Sequence, residues 1–216
     1  MNQDLVQIVI YYATKSHSEL SNLLLGKSKD NLIVSLTDLL TAYINDKNSS
    51  SLREYITVSI AGYTHNPKKL GYNGFNQNNM IGGKAMNCEA KPKNIQTEDY
   101  DVRKSKPKLN GEGGFNDYTI ERLQKDVQES LNLLSSGFID GELQYIIEFP
   151  FSDVQDRLKE QVPEIRAAGT YTIMASFNYS HYSNSKNIKF CYLNKTAIEK
   201  NKKYFNKHFY TFLISQ

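Results

Sequence analysis

The segment at residues 131–151, LNLLSSGFIDGELQYIIEFPF, contains two apolar runs separated by Asp140 and Gly141. An Asp-Gly pair supplies the two positive φ angles that a tight turn between antiparallel strands requires. The segment therefore predicts a β-hairpin that turns at Asp140-Gly141, and with it a β-sheet in the middle of the chain.

The N-terminal part of the chain shows helical periodicity. Apolar residues recur at three- and four-residue spacing in two segments. These residues are Leu5, Ile8, Val9 and Tyr12 in the first segment, and Leu32, Leu36, Leu39, Leu40 and Tyr43 in the second. Asp30 is expected to cap the second helix. Ser51 and Glu54 have the spacing of a capping box, which predicts the start of a third helix.

A further helix is predicted just before the hairpin, in the segment NDYTIERLQKDVQESLN. Asn116 or Asp117 is placed to cap it. Its buried face is expected to carry Tyr118, Leu123 and Val127.

Beyond the hairpin, SDVQDRLKEQV predicts a short helix capped by Ser152 or Asp153. Residues 169–194 alternate as two strands of a second hairpin around a Ser/Asn turn, and residues 196–213 are predicted to be helical. The polar segment 96–115 contains Pro107 and three glycines. It is therefore predicted to be a mobile loop, a type of segment that is usually functional when long.

This order of elements predicts an α/β fold, with a mixed central β-sheet flanked by helices and a helical N-terminal region. We expect residues 1–216 to form a single domain. Its parts are a helical segment 1–48, a candidate catalytic core 50–160, and a hairpin with a C-terminal helix at 170–216. A length of 216 residues is sufficient for one domain with a sizeable core.

Composition favours a soluble protein, with 39% hydrophobic and 23% charged residues. No apolar run approaches the ~20 residues of a membrane span, so no transmembrane helix is expected. The N-terminal segment has no basic start and carries Asp4, which argues against a secretory signal. Cys88 and Cys191 form neither a metal-binding spacing nor a disulfide framework, which suits a reducing compartment. We therefore expect a cytoplasmic protein.

Positive charge is concentrated in two regions, although the net charge is only +3. Residues 84–108 contain seven Lys and Arg against four acidic residues, and the last 31 residues contain seven Lys against one Glu. Such regions are compatible with nucleic-acid binding. They are equally compatible with ordinary solvated surfaces in a Lys- and Asn-rich protein.

The segment that most clearly suggests a catalytic site begins at residue 71 and reads GYNGFNQNNMIGGKAMNCEAKPKN. AMNCEAKPK predicts a strand of about five residues that ends at Pro92, because proline cannot donate to a central ladder. Strand side chains alternate between faces, so Glu89 and Lys91 are expected on the same face. Asn73 and Asn76 lie in the Gly-rich turn that precedes this strand.

This arrangement resembles the PD-(D/E)xK nuclease superfamily, in particular the type II restriction endonucleases. The resemblance covers roughly residues 50–160 and implies a restriction-endonuclease-like fold. Glu89 follows Asn76 by 13 positions and Asn73 by 16, and both distances fit the family's pattern. In the family the turn carries an Asp, whereas this chain has an amide at both positions.

The resemblance implies that Mg²⁺ is bound by Glu89 with Asn76 as the first choice of second ligand and Asn73 as the next. Mg²⁺ is usually held by one or two carboxylates together with phosphate oxygens and waters. Lys91 would orient or deprotonate the attacking water and offset negative charge. An amide carries no net charge, so both metal affinity and turnover are expected to fall.

Two explanations of the asparagine remain open. Either it is natural and another acid completes the site, or an Asp was replaced to trap an uncleaved complex. Glu54 on the third predicted helix is the best substitute acid, because family members often add a helical glutamate to the metal ligands. Its alternative role is that of capping-box partner to Ser51.

The expected function is therefore Mg²⁺-dependent, sequence-specific cleavage of double-stranded DNA by a homodimer. One alternative is a DNA-binding protein with the nuclease architecture and an inactive site, and another is a non-enzymatic protein-interaction module. Residues expected to contact DNA are Lys93, Lys104, Asn116, Tyr118, Arg122, Asn178, His181, Asn184 and Lys186. Of these, the last four lie in the second hairpin, whose amide and ammonium groups suit base recognition.

Overall fold

The computed structural model of the protein describes residues 4, 5, 7, 8, 11, 15–45, 50–66, 71–81, 84–100, 102, 106–129, 131–162 and 174–216. The chain divides into two compact units, Met1–Leu52 and Arg53–Gln216.

The first unit is helical, as its periodicity predicts. Helix α1 spans His17–Leu25 and helix α2 spans Lys29–Asn45. The hydroxyl of Ser28 accepts the Asn31 N–H at 3.2 Å. Ser28 rather than Asp30 therefore caps α2, because Asp30 already lies in the first helical turn. Residues 4, 5, 7, 8 and 11 are helical as well, whereas Val9 and Tyr12 lie outside the described residues.

The second unit is built on a six-stranded sheet whose strand order is β1-β2-β3-β5-β6-β8. The strands of this sheet are β1 Thr64–His65, β2 Gly74–Ile81, β3 Lys84–Ile95, β5 Asn132–Ile139, β6 Glu142–Pro150 and β8 Lys189–Leu193. β3 and β5 are parallel and the other neighbours are antiparallel. A separate two-stranded ribbon pairs β4, Gly113–Phe115, with β7, Ala175–Phe177.

Helices accompany this mixed sheet, so the predicted α/β class is confirmed. The remaining helices are α3 Ser51–Ile60, most of which belongs to the second unit, and α4 Thr97–Tyr100, α5 Ile120–Gln128, α6 Gln155–Lys159, α7 Lys195–Lys200 and α8 Lys207–Ile214 within that unit. The predicted third helix is confirmed as α3, whose first residue is Ser51.

The first hairpin is confirmed as β5 and β6. Asp140 and Gly141 have φ values of 48° and 81°, the positive angles that the turn requires. Leu133, Phe138 and Ile146 are fully buried. The hairpin therefore occupies the core, where it supports β3 on one side and β8 on the other.

The strand that carries Glu89 is longer than predicted. β3 has 12 residues and continues through Pro92, which pairs with Ser136, to Ile95. The predicted end at Pro92 is therefore wrong. β2 pairs with β3 only as far as Cys88, so Pro92 lies where one side of the strand has no registered partner, a position that tolerates proline.

Helix α5 confirms the predicted helix but not its details. Its cap is Thr119, whose hydroxyl accepts the Arg122 N–H, rather than Asn116 or Asp117. Val127 is 41% exposed and Asp126 is fully buried. The inward face thus carries a carboxylate where the pattern predicts an apolar side chain.

The predicted second hairpin is wrong, although both of its strands exist. β7 pairs with β4 and β8 pairs with β6. The segment between them contains a 3₁₀ turn at Tyr179–His181, and the Tyr179 N–H donates to the Asn110 carbonyl. The segment between the two strands is therefore bonded to a distant part of the chain, and it does not form a tight hairpin turn.

Two other predictions after the first hairpin need correction. The N-cap of α6 is Val154, and no side-chain cap comes from Ser152 or Asp153. The C-terminal helix is divided into α7 and α8 by a 3₁₀ turn at Lys202–Tyr204, and Asn206 caps α8.

The segment predicted to be a mobile loop contributes to the core. Leu109 is fully buried and forms a parallel bridge with Phe205. The Leu109 N–H donates to the Tyr204 carbonyl at 2.8 Å, and the Asn206 N–H donates to the Leu109 carbonyl at 2.9 Å. The loop prediction is therefore wrong for residues 97–100, which form α4, and for residues 106–115, while 101 and 103–105 lie outside the described residues.

In the part of the chain that the structure describes, no helix has the length and apolar character needed to cross a membrane.

Replacing Gly137 by alanine should destabilise the hairpin core. The new Cβ would lie 2.7 Å from Cζ of Tyr145 and 3.0 Å from Cδ1 of Leu109. Both neighbours are buried, so overpacking should lower the free energy of unfolding by about 1–3 kcal/mol. Urea denaturation of Gly137→Ala checks this. The control is Gly114→Ala, whose Cβ would come no closer than 3.8 Å to the Ala175 carbonyl oxygen; equal stability of the two variants would contradict the packing argument.

Candidate functional site

Glu89 and Lys91 lie together on one face of β3, as the strand period predicts. Lys91 Nζ is 2.9 Å from Glu89 Oε1, and their side chains are only 15% and 13% exposed. Nζ also lies 3.9 Å from the centroid of the Phe115 ring in β4. A Cβ on Gly113 would lie 2.8 Å from Lys91 Cγ, so glycine allows the ribbon to pack closely on the lysine.

Glu89 has one carboxylate oxygen without a protein partner. Oε1 accepts from Lys91, but Oε2 is buried and has no hydrogen-bond partner. A buried acceptor that is left unpaired normally carries a desolvation penalty, and such exceptions call for an explanation. A bound cation would satisfy this oxygen.

The asparagine beside Glu89 is Asn73. Its Oδ1 accepts the Ala90 N–H at 2.8 Å, one residue from Glu89. Its Nδ2 donates to Oε2 of Glu54 on α3 at 3.2 Å. Asn73 is therefore bonded to Glu54 and to the backbone next to Glu89, while Val58 of α3 packs on the Cys88 face of the sheet.

Asn76 is placed elsewhere. It pairs with Met86, and directly paired residues point to the same face of a sheet. Met86 packs with Cys88 and Ala90 on the face opposite Glu89. Asn73 rather than Asn76 is therefore the amide that the fold places next to the Glu-x-Lys pair.

The donor set fits Mg²⁺ better than a softer metal. Within the described ranges there is no cluster of three or more His, Cys, Asp or Glu residues suited to a metal ion. Glu89 offers a carboxylate and Asn73 a neutral amide oxygen, and Glu54 is a second carboxylate bonded to the nitrogen of that amide. Mg²⁺ needs only one or two carboxylates, because waters and phosphate oxygens complete its coordination.

A second lysine continues the same strand face. Lys93 forms an ion pair with Glu112, and both side chains are about one-third exposed. Burial lowers the pKa of Lys93, because desolvation disfavours its charged form. Glu112 has no distinctive sequence signal, since only the fold brings it to Lys93.

Helix α5 carries a buried carboxylate, that of Asp126. Asp126 accepts hydrogen bonds from the hydroxyls of Tyr72 and Tyr118 and from Nε of Arg122. Tyr118 is 1% exposed, so its side chain supports this network from inside instead of facing DNA. Sequence reasoning missed Tyr72 and Asp126, although the four-residue spacing of Arg122 and Asp126 is a signal for an ion pair on a helix.

The other predicted DNA-contacting residues have varied environments. Asn116, Asn184 and Lys186 are exposed. Asn178 and His181 are tied to each other, since Nδ1 of His181 accepts the Asn178 N–H at 3.0 Å. Lys104 lies outside the described residues.

The sequence matches no protein-family model, and it has no significant match among curated proteins. Function has to be argued from the chemistry of the site itself.

Replacing Asn73 by aspartate should make stability depend on a divalent cation. One carboxylate oxygen would still accept the Ala90 N–H, while the other would face Glu54, which now receives a hydrogen bond from the amide. Loss of that bond and like-charge repulsion should cost about 1–3 kcal/mol in EDTA.

Thermal unfolding of Asn73→Asp in EDTA and in excess Mg²⁺ measures the effect, and Mg²⁺ should restore the loss. The matched control is Asn76→Asp, which places the same charge on the other face of the sheet. Equal responses of both variants to Mg²⁺ would contradict the placement of the site.

Proposed function

We propose that this protein is a Mg²⁺-dependent endonuclease that hydrolyses phosphodiester bonds in double-stranded DNA, with a restriction-endonuclease-like core. The observation that carries the proposal is the unpaired, buried Oε2 of Glu89 beside the Lys91 amine. A structural ion pair would not require an orphaned acceptor, whereas a cation-binding carboxylate would.

Glu89, Glu54 and the oxygen of Asn73 are the residues that would hold Mg²⁺. When bound, the ion would neutralise charge on the phosphate and lower the pKa of a coordinated water. Asn73 links the two acids through its bonds to Ala90 and Glu54. Glu54 is therefore the residue proposed as the additional acid that family members often carry on a helix.

Lys91 is the residue suited to act on the attacking water and on the developing negative charge. Its Nζ is held between Glu89 and the face of Phe115. Because the group is largely shielded from solvent, its interaction with a phosphate oxygen is weakly screened. The position of Nζ is therefore fixed before any substrate binds, which is how preorganised charges contribute to catalysis.

Base recognition is proposed for the segment 178–186. The segment is bonded close to the site, because the Tyr182 hydroxyl donates to the Gly111 carbonyl. Gly111 lies two residues before Gly113, which packs on Lys91. Asn184 and Lys186 are exposed side chains in this segment that can donate to base edges. A homodimer would place two such sites on the two strands of a palindrome.

A second candidate is a DNA-binding protein that cleaves slowly or not at all. The observation that favours it is Asn73 itself, since an amide replaces the family's carboxylate and both of its polar atoms already have partners. Plasmid cleavage by the unmodified chain in Mg²⁺ distinguishes the two functions.

Glu89→Gln and Lys91→Met should each reduce plasmid cleavage by roughly a hundredfold or more, because each removes charge at the reacting phosphate. Binding to the same DNA in EDTA should change little. Matched controls are Glu160→Gln and Lys159→Met at the C-terminal end of α6, where both side chains are exposed. Full cleavage by either site variant would remove the site assignment.

Asn184→Ala and Lys186→Ala should weaken binding to the preferred duplex more than binding to a random duplex. A lost bidentate base contact costs about 1–3 kcal/mol of discrimination, whereas a lost phosphate contact weakens all DNA alike. Titration of both duplexes at one salt concentration measures the difference. Equal losses would show that the segment positions the protein without reading sequence.

A further inference from the structure

Asp126 is an unusual feature of the second unit, because a carboxylate with no exposed surface is expensive unless several donors compensate it. Three donors do so. Oδ1 accepts from the Tyr72 hydroxyl at 3.0 Å and from Arg122 Nε at 2.8 Å, and Oδ2 accepts from the Tyr118 hydroxyl at 2.8 Å. Both oxygens are satisfied, so the carboxylate is fixed in position.

The network fixes Arg122 in turn. Its guanidinium carbon lies 5.2 Å from the centroid of the Tyr72 ring, and its Nε is bound to Asp126. The side chain remains 33% exposed. Its two terminal nitrogens have no hydrogen-bond partner in the described part of the chain.

Arg122 is also close to the proposed nuclease site. Tyr72 directly precedes Asn73, whose side chain is bound to the backbone next to Glu89. Burial disfavours the charged guanidinium, but Asp126 and Glu89 outweigh this effect and raise the pKa of Arg122. The negative charge of Glu89 therefore acts on the guanidinium.

We propose that the two terminal nitrogens of Arg122 bind a DNA phosphate at the proposed site, and that Asp126, Tyr72 and Tyr118 are positioning residues for this arginine. A guanidinium suits the task because its parallel donors match two oxygens of one phosphate. An ordinary ion pair on a helix surface would not need a fully buried acid and two tyrosine hydroxyls. The inference rests on the proposed function for its ligand, the phosphodiester of DNA.

The test measures DNA binding in EDTA and is independent of cleavage. The affinity for a random duplex is determined over a range of salt concentrations for wild type, Arg122→Ala and Arg122→Lys. Arg122→Ala should weaken binding about tenfold to a hundredfold and reduce the slope of log affinity against log salt by about 0.9. Arg122→Lys should restore the slope and only part of the affinity, because lysine keeps the charge and loses the bidentate geometry.

Lys159→Ala is the matched control, since Lys159 is an exposed cation on another helix, α6. Equal losses for Lys159→Ala and Arg122→Ala would show that only general charge is involved and would overturn the proposal. The positioning role is tested by Asp126→Asn in the wild-type and Arg122→Ala backgrounds. It should weaken binding only when Arg122 is present, and an equal effect in both backgrounds would overturn that role.

If Asp126→Asn does not fold, Tyr72→Phe takes its place in the cycle, because it removes one hydrogen bond to the acid and retains the ring under Arg122. Failure of wild type to bind DNA would overturn this inference together with the proposed function. Binding that depends on Arg122 without Mg²⁺-dependent cleavage would overturn the nuclease proposal alone.

Discussion

Eight consecutive residue pairs join β3 to β5 in parallel register, from Cys88 with Asn132 to Ile95 with Ile139. This ladder decides which face of β3 carries the candidate chemistry, because a slip of one residue would turn every side chain to the other face. The buried hairpin of β5 and β6 holds the register, since its apolar residues fill the core on both sides of the sheet. Glu89 and Lys91 therefore face the β4–β7 ribbon because the β5–β6 hairpin fixes the register of β3. Their own side-chain contacts do not set this orientation.

Two buried carboxylates on opposite faces of the sheet differ in their hydrogen bonding. On the face of Cys88, Glu148 is fully satisfied: Tyr63 and Asn132 donate to Oε1, and Lys189 and Cys191 donate to Oε2. On the other face, Glu89 keeps an oxygen without a partner. Asp126 is satisfied as well, so the open oxygen of Glu89, a feature it shares with Asp153, is an exception among the buried acids described. The amide of Asn73 is neutral, so it donates to Glu54 and accepts from the Ala90 N–H beside Glu89 without adding a negative charge there.

Much of the local structure could be predicted from sequence. The hairpin turn at Asp140-Gly141, helix α5 and the shared face of Glu89 and Lys91 all follow from φ preferences and from the periods of helix and strand. The caps were harder to predict. Asp30 and Ser28 are both good capping residues, and only the position of the first helical turn distinguishes them.

The sequence by itself determined the α/β class, the candidate acid and lysine, and the presence of a nearby amide. Only the tertiary structure chose Asn73 over Asn76, carried β3 past Pro92, buried Leu109 and gave β7 and β8 different partners. It also assembled the environment of Arg122 from Tyr72, Tyr118 and Asp126. Local patterns reflect steric preferences within a few residues of chain. Register, burial and hydrogen bonding between distant segments depend instead on which surfaces meet when the whole sheet is packed.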